Sequence, residues 1–176
     1  MPIVPDTSDW TWVLERPCSD CGFRASEVDF ENLPGLIREN AAAWPAVLAG
    51  VDVAARPNDH TWSGLEYAAH VRDVCRLFDE RLHRLLDEDD PLLANWDQDA
   101  TAVSQRYDLQ DPAIVGVELE AAAQRVADSF ASVRTDARQR TARRSDGPSF
   151  TVETLGTYFL HDIVHHRHDV RFDFRR

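Results

Sequence analysis

The segment Tyr158-Phe-Leu-His161-Asp-Ile-Val-His165-His166-Arg-His168-Asp-Val170 carries four of the chain's seven histidines, the side chain best suited to holding a divalent cation at neutral pH. If the segment is helical, each residue turns by about 100°, so His161 and His165 lie about 40° apart on successive turns and His168 falls within about 20° of His161. Three imidazoles then share one stripe and His166 points elsewhere. A histidine pair at i and i+4 can be bridged by one ion, provided a third ligand arrives from another element. His70, in Glu66-Tyr-Ala-Ala-His70-Val-Arg-Asp73, is such a donor. The expected metal site is therefore His70, His161 and His165, with His168 the rival for the His165 position. Three neutral imidazoles leave an open coordination position of the catalytic type, suited to zinc, nickel or iron(II). Ligating histidines pass their second ring nitrogen to a carboxylate or carbonyl, which marks Glu66, Asp73, Asp162 and Asp169 as supporting candidates.

The elements that must position these residues read as helices. Leu33, Leu36, Ile37, Trp44, Val47 and Leu48 have helical spacing over 32–48, with Pro34 suited to a first turn and Pro45 expected to kink the helix. Ser63-Gly-Leu-Glu66 matches a capping box and opens a second helix, whose apolar stripe runs through Leu65, Ala68, Ala69, Val74, Leu77, Phe78, Leu82, Leu85 and Leu86 to the acids before Pro91. The long connection 91–111, with Trp96, Asp97 and Asp99, is expected to hold one short helix and to lie over the site. Asp111-Pro112 caps a third helix, expected to reach Arg138, with Val115, Leu119, Ala122, Val126, Phe130 and Val133 buried. Arg143 to Pro148 is a turn, and Ser149 or Thr151 caps the fourth helix, which carries the histidines. No strand-length alternating run follows the N-terminal Trp10, Trp12, Leu14 pattern, so an all-α four-helix bundle is expected, with its metal site between facing helices.

Residues 1–25 read as an N-terminal extension of a single domain spanning 1–176. Pro2, Pro5, Asp6 and Ser8 open it, Trp10 to Leu14 is either a short extended piece or a set of aromatic anchors, and Pro17-Cys18-Ser-Asp-Cys21-Gly22 is a tight turn. Cys18 and Cys21 have the spacing of half a zinc site, but no second such pair exists. The readings left for them are local packing, a mixed metal knuckle and thiol exchange. Phosphate loops, dinucleotide fingerprints, Gly-x-Ser-x-Gly elbows and His-Glu-x-x-His are absent; His161-Asp-Ile-Val-His165 shares only the histidine spacing of the last, a weak pointer to a hydrolase.

A chain of 176 residues, 43% hydrophobic and 28% charged, belongs to the ordinary globular range. Its formal charge of −12 repels nucleic acid and anionic membranes at long range, and the short basic run from Arg138 to Arg144 does not reverse this. With no membrane-length apolar run, no cleavable leader and three cysteines, a cytoplasmic, reducing location is expected.

Arg56-Pro57 with Trp62-Ser63-x-x-Glu66-x-x-x-His70, and His161-Asp-x-x-His165-His166-x-x-Asp169-Val170, resemble the DinB-like superfamily, which includes the metal-binding domains of mycothiol-dependent maleylpyruvate isomerases and low-molecular-weight-thiol S-transferases. The resemblance covers about residues 26–172. It implies an up-down-down-up four-helix bundle with a zinc- or nickel-holding histidine triad, carried over as His70, His161 and His165, often in a homodimer. It also implies a metal-dependent S-transferase or isomerase using mycothiol or a similar small thiol as co-substrate; a non-catalytic metal-binding stress protein and a metal-dependent hydrolase are the alternatives. In the commoner DinB ending an arginine directly follows the second histidine of the pair. Here His166 stands between His165 and Arg167, so His165, His166 and His168 all remain contenders for the third ligand.

Overall fold

The computed structural model describes residues 9–173, with side chains described as far as Arg171. The expectations for Pro2, Pro5, Asp6 and Ser8 lie outside the described residues. Among the described residues there are six α-helices: α1 Leu33–Ala41, α2 Trp44–Leu48, α3 Gly64–Asp87, α4 Gln98–Ser104, α5 Pro112–Ala131 and α6 Val152–Asp173. The long helices form a bundle in which α3 packs against α5 and α6, and α1 packs against the same two. The α5 helix buries the expected Val115, Leu119, Val126 and Phe130, and α6 buries Leu155, Phe159 and Ile163, whereas Leu36 of α1, expected on the apolar stripe, is exposed.

Local chemistry explains the boundaries. Ser63 accepts from the Glu66 amide at 3.1 Å and the Glu66 carboxylate takes the Ser63 amide at 2.8 Å, so the capping box opens α3 as expected. Asp111 caps α5 ahead of Pro112, but α5 ends at Ala131, short of the expected Arg138. The next residues form a short turn over Thr135–Ala137 and then a strand over Thr141–Arg144, whose arginines pair with Asp90 and Asp146. Pro45 does not kink one long helix. It lies in the first turn of a separate helix, α2, where its missing amide hydrogen costs nothing.

The all-α expectation is corrected by a small sheet: β1 Leu92–Leu93, β2 Thr141–Arg144 and β3 Ser149–Thr151, with β1–β2 parallel and β2–β3 antiparallel. Its strands span only two to four residues, too few for an alternating run to declare itself. The Arg143–Pro148 turn is the tip of the β2–β3 hairpin, and Gly147 supplies its positive φ of 128°. Thr151 then accepts from the Thr154 amide at 3.1 Å, opening α6 where expected. The basic run is spent inside the fold: Arg138 pairs with Glu31, Arg140 donates to the Leu85 and Glu88 carbonyls, Arg143 pairs with Asp90 and Arg144 with Asp146. Among the described residues, no helix is long and apolar enough to cross a membrane.

Two contacts fix α6. Gly156 admits Leu33 and Phe130 so closely that an added Cβ would stand 2.5 Å and 2.9 Å from their side chains. Buried Asn40 donates to the Ile163 carbonyl at 2.9 Å, and Trp44 donates to Asn40 at 3.2 Å. The helix is thereby held beside the very turn that carries the histidines.

Candidate metal centre

On α6, positions 161 and 165 form one i, i+4 pair and positions 162 and 166 form another, rotated by about 100°. The structure gives each pair a different partner. Asp162 and His166 meet His70 of α3, and His161 and His165 meet Cys18 and Cys21 of the N-terminal segment; within each set the ligand atoms all lie within 4.8 Å of one another. The expected grouping of His70, His161 and His165 is thus divided between two clusters. The reason is rotational: the α6 stripe turned toward α3 is the 162/166 stripe, and the Cys18–Gly22 turn covers its neighbour.

In the first cluster Asp162 Oδ1 stands 3.5 Å from His70 Nε2 and 3.7 Å from His166 Nε2, close without hydrogen-bond geometry. Atoms bound to one ion at about 2.1 Å in a tetrahedral arrangement are separated by about 3.4 Å, so these spacings suit shared coordination. His70 Nε2 and Asp162 Oδ1 are both buried without a hydrogen bond in the protein, an arrangement that costs about 1–3 kcal/mol per atom unless a ligand satisfies them. His166 turns its other nitrogen, Nδ1, to Asp169 Oδ2 at 3.1 Å, the carboxylate support usual behind a metal-binding imidazole.

Burial shapes the charges. His70 is fully buried, and burial drives its pKa below the ordinary histidine value, keeping the ring neutral. Burial alone would raise Asp162, but the facing His70 and the surrounding imidazoles outweigh it and hold the carboxyl down at about 2. A neutral His70 imidazole beside an ionised Asp162 carboxylate is the pairing a cation requires. Of the other acids expected to give support, Glu66 is committed to the α3 cap and to Arg56 at 2.8 Å, and Asp73 to Arg72 at 2.8 Å and the Tyr107 hydroxyl at 2.6 Å.

The cluster opens to a cleft of about 630 Å³ lined by Trp62, Trp96, Tyr158, Asp162, His166 and Asp169, among others. As expected, the 91–111 connection covers the site: Trp96 stacks on the His70 ring at 5.4 Å and 16° between planes. Trp62 approaches the same imidazole at 5.1 Å.

The second cluster borders the same cleft through His161 and His165 and is partly covered by aromatics. The Trp10 ring stacks on His161 at 5.7 Å and approaches His165 at 5.1 Å, and Phe23 meets His161 edge-on at 5.3 Å. Trp10 belongs to a 3-10 turn over Trp10–Leu14, so it acts as an anchor and not in an extended strand. Cys18 Sγ is 3.6 Å from His165 Nδ1. Burial pulls His161 down to about 4, with His165 adding to the effect, and pushes the Cys21 thiol up to about 11. His168, the other candidate, belongs to neither set and lies 3.8 Å from Asp169.

No family model matches the chain, and no curated protein sequence does. Among solved structures it is similar to YfiT from Bacillus subtilis, which is described as a probable metal-dependent hydrolase with an unusual four-helix bundle topology. The match has a TM-score of 0.71 and 18% identity over 87% of this chain and 88% of that one. The fold is DinB-like. Placed on the DinB-like ending, in which an arginine directly follows the second histidine of the pair, Arg167 marks His166, and the position one turn earlier is Asp162. That signal was present in the sequence: reading the pair from Arg167 backwards selects the residues that face His70.

Proposed function

We propose that this chain is a metal-dependent enzyme whose ion is held by His70, Asp162 and His166, with its open position facing the cleft. The observation carrying this reading is the convergence of three ligand atoms, two of them buried and unsatisfied, with Asp162 and His166 lining a cavity. Two histidines and a carboxylate form a donor set of the catalytic kind, suited to zinc, nickel or iron(II). A bound divalent ion there supplies Lewis acidity that lowers the pKa of a thiol or water in its open position. His70 contributes a neutral imidazole kept from protonation by burial, and Asp162 contributes the negative charge. Asp169 orients His166 through Nδ1, and Trp62 and Trp96 exclude water from the His70 side.

For the nucleophile we favour a low-molecular-weight thiol of the mycothiol type, acting in S-transfer or isomerisation. Its support is the DinB-like fold and a cleft large enough for a thiol and an electrophile together. Hydrolysis is the second reading, favoured by the description of YfiT. The test is metal analysis of tag-free protein, followed by assays of thiol consumption with electrophiles and of ester and amide hydrolysis, with His70→Ala and His166→Ala as controls. Metal-dependent turnover lost in both variants supports the proposal. Unchanged metal content in a His70→Ala, Asp162→Ala, His166→Ala triple variant overturns it, and hydrolysis without thiol consumption selects the second reading.

A further inference from the structure

We propose that Cys18, Cys21, His161 and His165 form a second metal site, a closed tetrahedral zinc centre that fastens the N-terminal segment to α6. This inference is independent of the cleft reading, since the two clusters share no residue. Four donors from two distant parts of the chain converge with their ligand atoms within 4.8 Å of one another. With zinc–sulfur and zinc–nitrogen bonds of about 2.3 Å and 2.0–2.1 Å, a tetrahedral sulfur–nitrogen edge is about 3.6 Å. The Cys18 Sγ to His165 Nδ1 distance is 3.6 Å.

The local backbone is built for such a centre. Gly22, at φ +76°, turns the chain immediately after Cys21, its amide returning to the Cys18 carbonyl at 3.0 Å, while the Cys18 amide donates to the Phe23 carbonyl at 2.9 Å. The amide of Phe23 is directed at the Cys21 sulfur, as a thiolate prefers. On the other side, His165 presents Nδ1 to Cys18 and turns Nε2 toward Asp169 Oδ1 at 3.7 Å, while His161 is 3% exposed and its Nε2 has no hydrogen-bond partner in the protein.

Charge and coordination number then specify the role. Binding one Zn²⁺ releases two thiol protons, and two thiolates with two neutral imidazoles leave a centre of zero net charge, compatible with its cover of Trp10 and Phe23. All four positions are taken by protein, so the site is structural and offers nothing to substrate.

The experiment is cobalt(II) titration of the reduced, tag-free full-length chain, read by absorption. The expected result is thiolate-to-cobalt charge transfer that saturates at one equivalent of cobalt at this site, lost in Cys18→Ser, Cys21→Ser and retained in His70→Ala, Asp162→Ala. In the zinc-loaded wild type, a mercurial reagent that blocks thiols should release one equivalent of zinc. This measurement decides the matter even if the cysteine variant fails to fold. Absence of thiolate charge transfer in the wild type, its survival in a folded cysteine variant, or a Cys18–Cys21 disulfide in anaerobically purified protein overturns the proposal. Failure of the cleft site alone leaves the thiolate signal intact.

Discussion

Two neighbouring stripes of α6 do different things with similar residues. The 162/166 stripe faces His70 across the bundle and opens on a cleft, with three protein donors and a tryptophan wall on one side. The 161/165 stripe borders the same cleft but faces a turn of the N-terminal segment, with four donors and a partial aromatic cover. An open three-donor set can admit a reactant, and a closed four-donor set cannot. A single helix can therefore separate chemistry from anchoring by about 100° of rotation, with Asp169 backing a histidine on each stripe.

The sharpest way to break this comparison is to remove one stripe's partner at a time. His70→Ala combined with Asp162→Ala should abolish turnover, a fall of at least about 100-fold, while the far-ultraviolet circular dichroism stays that of the wild type. If activity instead follows Cys18 and leaves His70 variants untouched, the assignment of roles is reversed. Next in size, chelating the Cys18 centre removes an ion bound to the folded state, worth about 4 kcal/mol at a thousandfold excess over its dissociation constant. For a chain of this length that lowers Tm by about 10 °C, and the loss should vanish in Cys18→Ser, which begins at the lower Tm.

Acid should load both stripes in metal-free protein, because burial holds His161, His165 and His70 all below the ordinary histidine value. His161 is held at about 4 in the fold against an ordinary 6.5, so between these values the unfolded chain binds more protons and stability rises with pH. Acidification from 6.5 to 4 should therefore remove up to about 3 kcal/mol through His161, measured by urea unfolding at a series of pH values, and His161→Gln should remove that share while leaving those of His70 and His165. Asp162 is depressed, so its contribution is present above about 3.8 and is lost only toward 2, a lower and distinct window. Asp169→Asn is smaller still: losing the carboxylate behind both His165 and His166 should weaken metal binding about 10- to 100-fold at both centres. Weakening at one centre alone, read by competition with a chelating dye, would show that the support is not shared.

The bundle was legible because its helices announce themselves locally: Ser63 and Glu66 mark α3, Asp111 and Pro112 mark α5, and Thr151 marks α6. The four histidines at the chain's end were legible too, as were the Cys18–Gly22 turn and the cover supplied by Trp96. What spacing could not supply was the rotation of α6 about its own axis. That depends on side chains distant in sequence, such as Leu33 and Phe130 packed on Gly156 and Asn40 bonded to the Ile163 carbonyl. A turn of about 100° decides whether His70 meets His161 or Asp162, and no periodicity within 158–170 contains that information. The convergence of Cys18 with His165, across 147 residues, is likewise a property of packing. The strands escaped because β1 and β3 are shorter than any pattern that defines a strand.

The smallest effect tests whether α3 is merely a rod or also an aiming device. Ser63 fixes the first turn of the helix that presents His70 two turns later, and Glu66 joins that cap to Arg56. Ser63→Ala removes the hydroxyl acceptor and should cost about 1 kcal/mol, or roughly 2–4 °C in Tm. If the cap only stabilises, metal affinity at the cleft will be unchanged at temperatures well below unfolding. If it also aims His70, affinity at the cleft will fall while the thiolate-to-cobalt absorption of the Cys18 centre stays constant, because α3 contributes no donor to that cluster.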